Sequence, residues 1–417
     1  GTAGNNRISA YRSLSNFSSS WQPFLDQINI SYYSTQLPNK NLRWETNISS
    51  NLGFEMGFFD QKIQVVLDLY SNQTKDLLLD SKIPLYSGYP TIIKNIGKTR
   101  NRGVELTLNT INITTKDFYW ETGFNISHND NKVVQLAGVD FFTTRSGWAG
   151  TAEFNEDDFR VKIGESVGNM YGYKWIGIYT VDDFTYDNAT NNYVLKDDIP
   201  YDKDNYPKPG FNKFEDYDKD GEITANDKQV IGNYNPLLFG GLTNSMSYKS
   251  FDFSFAFNFS IGNSVYNANR MYFTKMSNRY RNSLAEVANR FTYIDEKGDN
   301  VYNDPEKLAA INVNNTSQAS IDGSNNIKFH SKIVEDGSYL RLSNITLGYA
   351  LPKDFIKQLK ISNLRVYASA YNLFILTKYS GFDPDVNARP NGGLTPGIDW
   401  GAYPRSMNFV IGLNLSL

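Results

Sequence analysis

The chain has 417 residues, a formal net charge of −3, no cysteine and two histidines. These values exclude a disulfide framework, thiolate metal sites and a cysteine nucleophile, and without a basic run they argue against nucleic acid as a partner. Mean hydropathy is only −0.47 and no run approaches ~18 apolar residues, so a transmembrane helix is excluded; a membrane barrel, in which only alternate residues face lipid, is not.

The first residues, GTAGNNRISAY, carry neither a basic n-region nor an apolar core, so they are not a signal peptide. An exported chain of this kind would be a mature fragment or would begin further upstream.

Alternation of period two starts in 42–58. Leu42, Trp44, Thr46, Ile48, Leu52, Phe54, Met56 and Phe58 share one face, with Arg43, Glu45, Asn47, Ser49, Asn51 and Glu55 on the other. It recurs in 62–70 (Ile63, Val65, Leu67, Leu69), 104–109 (Val104, Leu106, Leu108) and 118–127 (Trp120, Phe124, Ile126). A weaker strand covers 238–249. The clearest, 251–262, sets Phe251, Phe253, Phe255, Phe257, Phe259 and Ile261 against Asp252, Ser254, Asn258 and Ser260. Strands at 339–351, 364–376 and 405–417 complete nine, the last apolar on alternate positions (Phe409, Ile411, Leu413, Leu415, Leu417). One such strand fits a soluble sandwich or jelly roll with one wet face. Nine with this contrast, and a Phe row suited to lipid and its interface, favour a transmembrane barrel.

Connections alternate in length. Short turns fall at 59–61, 114–117 and 249–250, with a modest link at 352–363; long loops fall at 80–102, 137–237, 265–337 and 377–404. Short turns of outer-membrane barrels are periplasmic and long loops extracellular. Parity then places 1–41 in an extracellular loop and 42–417 in the barrel segment. An odd strand number predicts part of a barrel, closed by a segment elsewhere. Within the loops, 171–179 reads as an extracellular hairpin arm and 281–291 as a short helix; the rest of 265–337 reads as irregular.

One constellation carries defined chemistry. Residues 216–227, DYDKDGEITAND, place Asp216, Asp218, Asp220 and Asp227 at positions 1, 3, 5 and 12 of a calcium loop, with Gly221 at the sharp turn and Glu222 offering its backbone carbonyl. Hard oxygen donors at that spacing wrap Ca²⁺, and without it four carboxylates would repel. No flanking helices are evident, so an isolated, dockerin-like loop is expected, bracing the extracellular segment 137–237. The bland reading is an acidic solvated turn. The pair Asp383/Asp385 in GFDPDVN reads as a turn with Asx contacts rather than acid–base chemistry. Loop aromatics Trp148, Tyr171, Trp175, Tyr272, Tyr293 and Trp400 could stack on sugar rings or peptide side chains, or pack inside ordered loops. Of these, Trp148, Trp175, Tyr272 and Trp400 are the candidate substrate contacts.

Several blocks taken in order carry a resemblance: PNKNLRWET, GFFDQKIQVVLDLYSNQTKDLLL, NIGKTRNRGVEL, FYWETGFNISHNDNKV, DYDKDGEIT, IGNYNPLLFGGLTNSMSYKSFDFSF, DGSYLRLSNITLGYALP and NLRVYASAYNLFILTKYSGFDPDVN. Together they resemble the C-terminal part of SusC/RagA-type TonB-dependent outer-membrane transporters of Bacteroidetes. The resemblance implies an all-β, 22-stranded antiparallel barrel, of which these would be the last strands, with the plug, the TonB box and the first strands outside this chain. It implies a SusD-like surface lipoprotein as lid, oligosaccharide or oligopeptide cargo, and energy delivered through TonB. Many members end on Phe, whereas this chain ends on Leu417. The expected activity is nutrient import rather than catalysis. The runners-up are a surface adhesin or structural barrel, and an outer-membrane hydrolase for which no nucleophile and base are displayed.

Overall fold

A computed structural model describes residues 2–3, 17–24, 27–35, 37–89, 91–136, 138–148, 154, 156–276, 280–315, 317, 328–356, 361–388 and 393–416. Leu417 lies outside the described residues. The chain divides into two units, Gly1–Phe142 with Val161–Val167 and Gly240–Lys249, and Thr143–Arg160 with Gly168–Phe239 and Ser250–Leu417.

Among the described residues the first unit holds seven long strands. Phe17–Phe24 (β1) and Gln27–Ser34 (β2) form a hairpin of their own. Glu45–Phe58 (β3), Ile63–Lys82 (β4), Thr91–Thr114 (β5), Phe118–Gln135 (β6) and Leu238–Tyr248 (β7) follow one another as neighbours, and Thr2–Ala3 pairs with Thr46 and Glu45 on β3. The turn between β3 and β4 holds Phe59, Asp60 and Gln61 all at positive φ (55°, 54° and 66°). Such a tight left-handed stretch costs side-chain strain that the ladders on either side must offset.

Register carries the apolar row from strand to strand. Phe54 faces Leu67 and Met56 faces Val65; Leu67 then faces Leu106, and Leu106 faces Ile126. A one-residue slip would turn every one of these side chains to the opposite face, so the hydrophobic pattern fixes the pairing. The intervening row is polar and bonded across strands. Asn51 donates to Asp68 Oδ1 (3.1 Å), the Tyr70 hydroxyl to Asn129 Oδ1 (2.9 Å) and Asn131 to Asn101 Oδ1 (2.7 Å).

Among the described residues the second unit holds four long strands, Phe251–Ile261 (β8), Tyr339–Ala350 (β9), Asn363–Thr377 (β10) and Asn408–Ser416 (β11), paired in that order. Phe253 faces Leu347, Leu347 faces Ala368, and Ala368 faces Ile411. Phe251 and Phe409 are exposed, and Ile411 is 84% exposed. The inner face of a sandwich would bury these residues. The other row carries Asp252 ion-paired with Arg365 and a Thr346–Ser369 hydroxyl contact of 2.8 Å.

All nine expected strands are present, so the all-β expectation holds. Their lengths needed correction. β4 runs to Lys82 and β5 begins at Thr91, so the long loop expected over 80–102 shrinks to 83–90, and β6 extends to Gln135. Beyond the apolar band both faces of these strands are largely polar, so period two fades while the backbone ladder continues. Bulges at Thr74, Leu77 and Leu78 break the alternation further, with Asp76 at φ 58°.

The loops of the second unit are not irregular. The arm expected over 171–179 is two short strands: Asn169–Gly172 pairs with Gln229–Asn233, and Trp175–Ile178 with Asn212–Phe214. The helix expected over 281–291 is a five-residue 3-10 turn, Ala285–Asn289. The stretch 265–337 adds helices at Ala268–Thr274, capped by Asn267, and Pro305–Ile311, capped by Asp304. Two apolar clusters hold these pieces. One centres on Trp148, Phe159, Met170, Tyr266, Phe329 and Ile398. The other centres on Tyr179, Phe184, Tyr193, Phe291 and Leu308.

Candidate functional site

The acidic loop folds as its spacing demands. Asp216 accepts from the backbone N–H of Lys219 (2.6 Å) and of Gly221 (2.9 Å), and Gly221 sits at φ 87°, where a Cβ would be strained. Asp227 is fully buried and accepts from Tyr217 N (2.7 Å) and Thr224 N (2.7 Å), pulling the end of the loop back onto its start. Asp216, Asp218 and Asp227 each present a carboxylate oxygen within 4.8 Å of the others. Lost solvation, followed by the charges of Asp220, Asp227 and Asp216, pushes the Asp218 carboxyl above its ordinary range. Three oxygens converging at mutual electrostatic cost fit a hard divalent cation.

The remaining two expected ligands face elsewhere. Asp220 accepts from Glu222 N (2.8 Å), and the Glu222 carboxylate is ion-paired with Lys203. Ile223 N donates to Tyr201 O (2.9 Å), which ties the loop to the neighbouring segment.

Three of the four candidate aromatics come together. Trp148 and Trp400 lie 4.6 Å apart by ring centroids, and Tyr272 lies 4.8 Å from Trp400. Trp148 is 5% exposed and its Nε1 donates to the Tyr266 hydroxyl (2.6 Å), so it packs inside an ordered loop. Tyr272 and Trp400 are half-buried at the edge of that cluster, with the Arg281 guanidinium 3.8 Å from the Tyr272 ring. Trp175 lies apart from them: its Nε1 donates to Asn212 Oδ1 (3.0 Å), and Lys332 sits over its ring at 4.7 Å. Of the other loop aromatics, Tyr293 donates to Pro209 O (2.6 Å) and Tyr171 lies under Arg160.

The expected Asx contact in GFDPDVN is present, with Asp385 N donating to Asp383 Oδ1 (2.9 Å). The same two carboxylates also do what the sequence did not reveal. Asp383 takes Arg341 of β9 in a buried ion pair (2.6 Å), and Asp385 takes Arg405. Tyr379 donates to Asp399 (2.6 Å) on the far side of the same loop. The loop 378–404 is thereby latched to the strand below it. A lone arginine followed by an apolar alternation, as in YLRLSNITLGY, is the only sequence signal for this.

Two buried titratable groups set opposite pH responses. Burial, then Lys332 and Arg270, push His330 down to about 3, and its Nδ1 has no hydrogen-bond partner among the described residues. Burial pushes Asp158 up to about 6, against two hydrogen bonds from Ser146. The His330 contribution is present above its unfolded value near ~6.5 and is lost as pH falls toward 3; between pH 7 and 5 that is about 2 kcal/mol. The Asp158 contribution runs the other way, growing as pH falls through 6, by about 1 kcal/mol over the same window. Acidifying from pH 7 to 5 should therefore weaken protection of the Tyr173 and Ser331 amides, which bond Phe329 O and Tyr173 O. Asp158→Asn should make that loss larger and His330→Phe should abolish it. Hydrogen exchange at the two amides reads both, and a response unchanged in His330→Phe would contradict the assignment.

Comparison with known proteins matches these features to a family. The family described as TonB dependent receptor-like, beta-barrel matches residues 8–216. TonB-dependent receptor P3 of Formosa agariphila is 32% identical over 421 residues, covering 100% of this chain and 38% of that protein. TonB-dependent receptor SusC of Bacteroides thetaiotaomicron is 31% identical over 389 residues, covering 92% of this chain and 33% of that protein. The RagAB peptide importer in its 'closed-closed' state superposes with a TM-score of 0.71 at 22% identity, over 99% of this chain and 40% of that one, a likeness of fold. The matched stretch is the C-terminal part of these longer proteins. The chain belongs to the TonB-dependent receptor family, as a stretch of its β-barrel.

Proposed function

We propose that this chain is wall and loops of a SusC/RagA-type importer in the cell outer membrane, taking up oligosaccharides or oligopeptides by TonB-dependent transport. The observation that carries the reading is an apolar row in each unit, exposed along β3 in the first and at Phe251, Ile261 and along β11 in the second, each backed by a hydrogen-bonded polar row. Such a wall suits lipid on one side and a wet lumen on the other. The remaining N-terminal plug and barrel segment would complete the lumen, the TonB complex would act through that segment, and a SusD-like lipoprotein would close the extracellular mouth. No bond in the cargo is broken, so the protein is not an enzyme. Deleting the gene for the whole protein should abolish growth on its oligomeric cargo and leave growth on the monomers intact. Normal growth on every glycan and peptide oligomer tried would favour an adhesin or structural barrel instead.

Ca²⁺ in the acidic loop belongs to the same proposal, held by Asp216, Asp218 and Asp227 with the Glu222 carbonyl, and Asp220 lending charge. The ion would supply the positive charge that three converging carboxylates lack and so brace the loop. Chelation should speed proteolysis within 181–237, and Asp216→Asn with Asp227→Asn should do so without chelator. Equal cleavage rates with and without chelator would remove calcium from the reading.

A further inference from the structure

We infer that the outward face of β4, β5 and β6 holds the phosphate of a phosphorylated lipid of the outer leaflet, through Arg100, Arg102 and Lys132. The inference rests on the membrane reading above. Cross-strand pairs fix which side chains share that face: Leu69↔Val104, then Ser71↔Arg102, then Gln73↔Arg100. On the next strand Val104 faces His128, Arg102 faces Asp130 and Arg100 faces Lys132. Lys75, opposite Thr46 of β3, lies one pair further along the same row. This rim of β4 to β6 thus sets Lys75, Arg100, Arg102 and Lys132 against the carboxylate of Asp130.

Three observations call for an anion there. First, Arg100 and Lys132 stand directly opposite each other, and like charges so placed repel. Second, Asp130 is ion-paired with Lys132 (3.3 Å), while neither arginine has a carboxylate partner among the described residues. The Arg100 Nε is buried and has no hydrogen-bond partner among them. Third, the positive charge is confined to this place. The opposite row at the same level is neutral, with Tyr70, Asn101, Asn129 and Asn131 hydrogen-bonded to one another. The tight turns at the far end are balanced, Asp60 with Lys62 and Lys116 with Asp117.

Position makes the anion a lipid's. The outward apolar row of β5 runs from Ile113, paired with Trp120, to Val104, both exposed. That stretch rises about 30 Å at ~3.3 Å per residue. Tilted by ~40° it spans about 23 Å, close to the ~25 Å apolar band of a membrane barrel. Arg102 is the next outward side chain beyond it and Arg100 the one after, at the end remote from the turn at 59–61. Acyl chains give way to headgroups at that level. Arginine stems can lie along the apolar surface while the charged heads reach the phosphate. Guanidinium groups grip phosphate through paired N–H donors. A phosphate monoester carries about −2, which offsets the charge that Arg100, Arg102 and Lys132 keep after Asp130 is subtracted.

The chain contributes no cysteine of its own, so Ser50→Cys can carry a bimane fluorophore in the full-length protein. Ser50 lies opposite Ser71 on the outward face, two strands and about 10 Å from Arg102. The protein is placed in phosphatidylcholine vesicles doped with doxyl-labelled phosphatidic acid or with doxyl-labelled phosphatidylcholine. Phosphatidic acid should reach half-maximal quenching at a mole fraction on the order of tenfold lower. Arg100→Gln with Arg102→Gln should bring the two curves together while leaving quenching by phosphatidylcholine at the parent value. Arg100→Lys with Arg102→Lys should keep part of the gap, and Asp130→Asn should widen it; these two decide the matter if the glutamine pair fails to insert. Equal curves in the parent, or a gap that none of these variants changes, would overturn the inference alone. A gap erased by millimolar inorganic phosphate would make the ligand a soluble anion and overturn it too. Quenching by neither lipid would mean that position 50 does not meet the bilayer, and would sink the membrane reading itself.

Discussion

Replacing Asp383 by alanine is expected to destabilise the second unit by about 3–5 kcal/mol, because it strands the Arg341 guanidinium in the interior. The Arg341 and Asp383 side chains are each only 5% exposed, and Arg341 Nε has no partner among the described residues even in the intact pair. Asp383 also organises its own turn through Asp385 N, so its removal should release the loop 378–404 before the sheet melts. Replacing both partners by leucine removes the stranded charge and should recover most of the loss. Thermal unfolding, together with limited proteolysis at 378–404, distinguishes these cases. A single variant as stable as the parent would show that the latch carries no weight. By contrast, breaking the exposed Arg405–Asp385 pair should cost under about 1 kcal/mol.

Truncating Trp148 to alanine should cost a further large amount, about 3–5 kcal/mol, through loss of buried aromatic area and the cavity left behind. Its ring touches Phe154, Tyr266, Tyr272 and Trp400, and so joins the start of the long loop to the end of the chain's last loop. Trp148→Phe keeps most of that area but leaves the Tyr266 hydroxyl, on a fully buried residue, without the indole N–H, at about 1–3 kcal/mol. The Tyr266 hydroxyl retains Met271 Sδ at 3.4 Å, a weak acceptor. Unfolding midpoints of the two variants should fall in that order. Were Trp148→Ala as stable as the parent but defective in cargo uptake, the residue would be a substrate contact rather than core.

The strands were legible because a wall between lipid and water imposes strict alternation, and that alternation survives in single rows such as Phe251 to Ile261. Legibility ended where the chemistry of the two faces converged. Ser71–Lys82 and Thr91–Gly103 are strand, but their apolar residues come in short runs (Leu77–Leu79, Ile92–Ile93) that do not alternate, and their register shifts at bulges, so period two does not mark them. The hairpin at 17–34 hides for another reason: Ser19, Pro23 and Ser34 interrupt its apolar face, so the alternation along each strand is incomplete.

The acidic loop could be read position by position because its geometry is local. Asp216 reaches only to Lys219 and Gly221, within the same few residues. The latch could not, since Arg341 and Asp383 are separated by 42 residues and meet only after β9 and β10 have paired. The aromatic loops illustrate the same limit. Trp148, Tyr272 and Trp400 look alike in the sequence, yet packing buries the first and leaves the other two at the rim of its cluster.

Photolabelling from within the bilayer tests the central claim most directly. With the full-length protein in vesicles whose acyl chains carry a diazirine, irradiation and peptide mapping should place label on Phe253, Phe255, Phe257, Phe409, Ile411 and Leu413. Ser254, Asn258 and Asn414 between them should stay unlabelled. Label spread evenly over both sets, or absent from the Phe row, would mean that this face does not look into lipid.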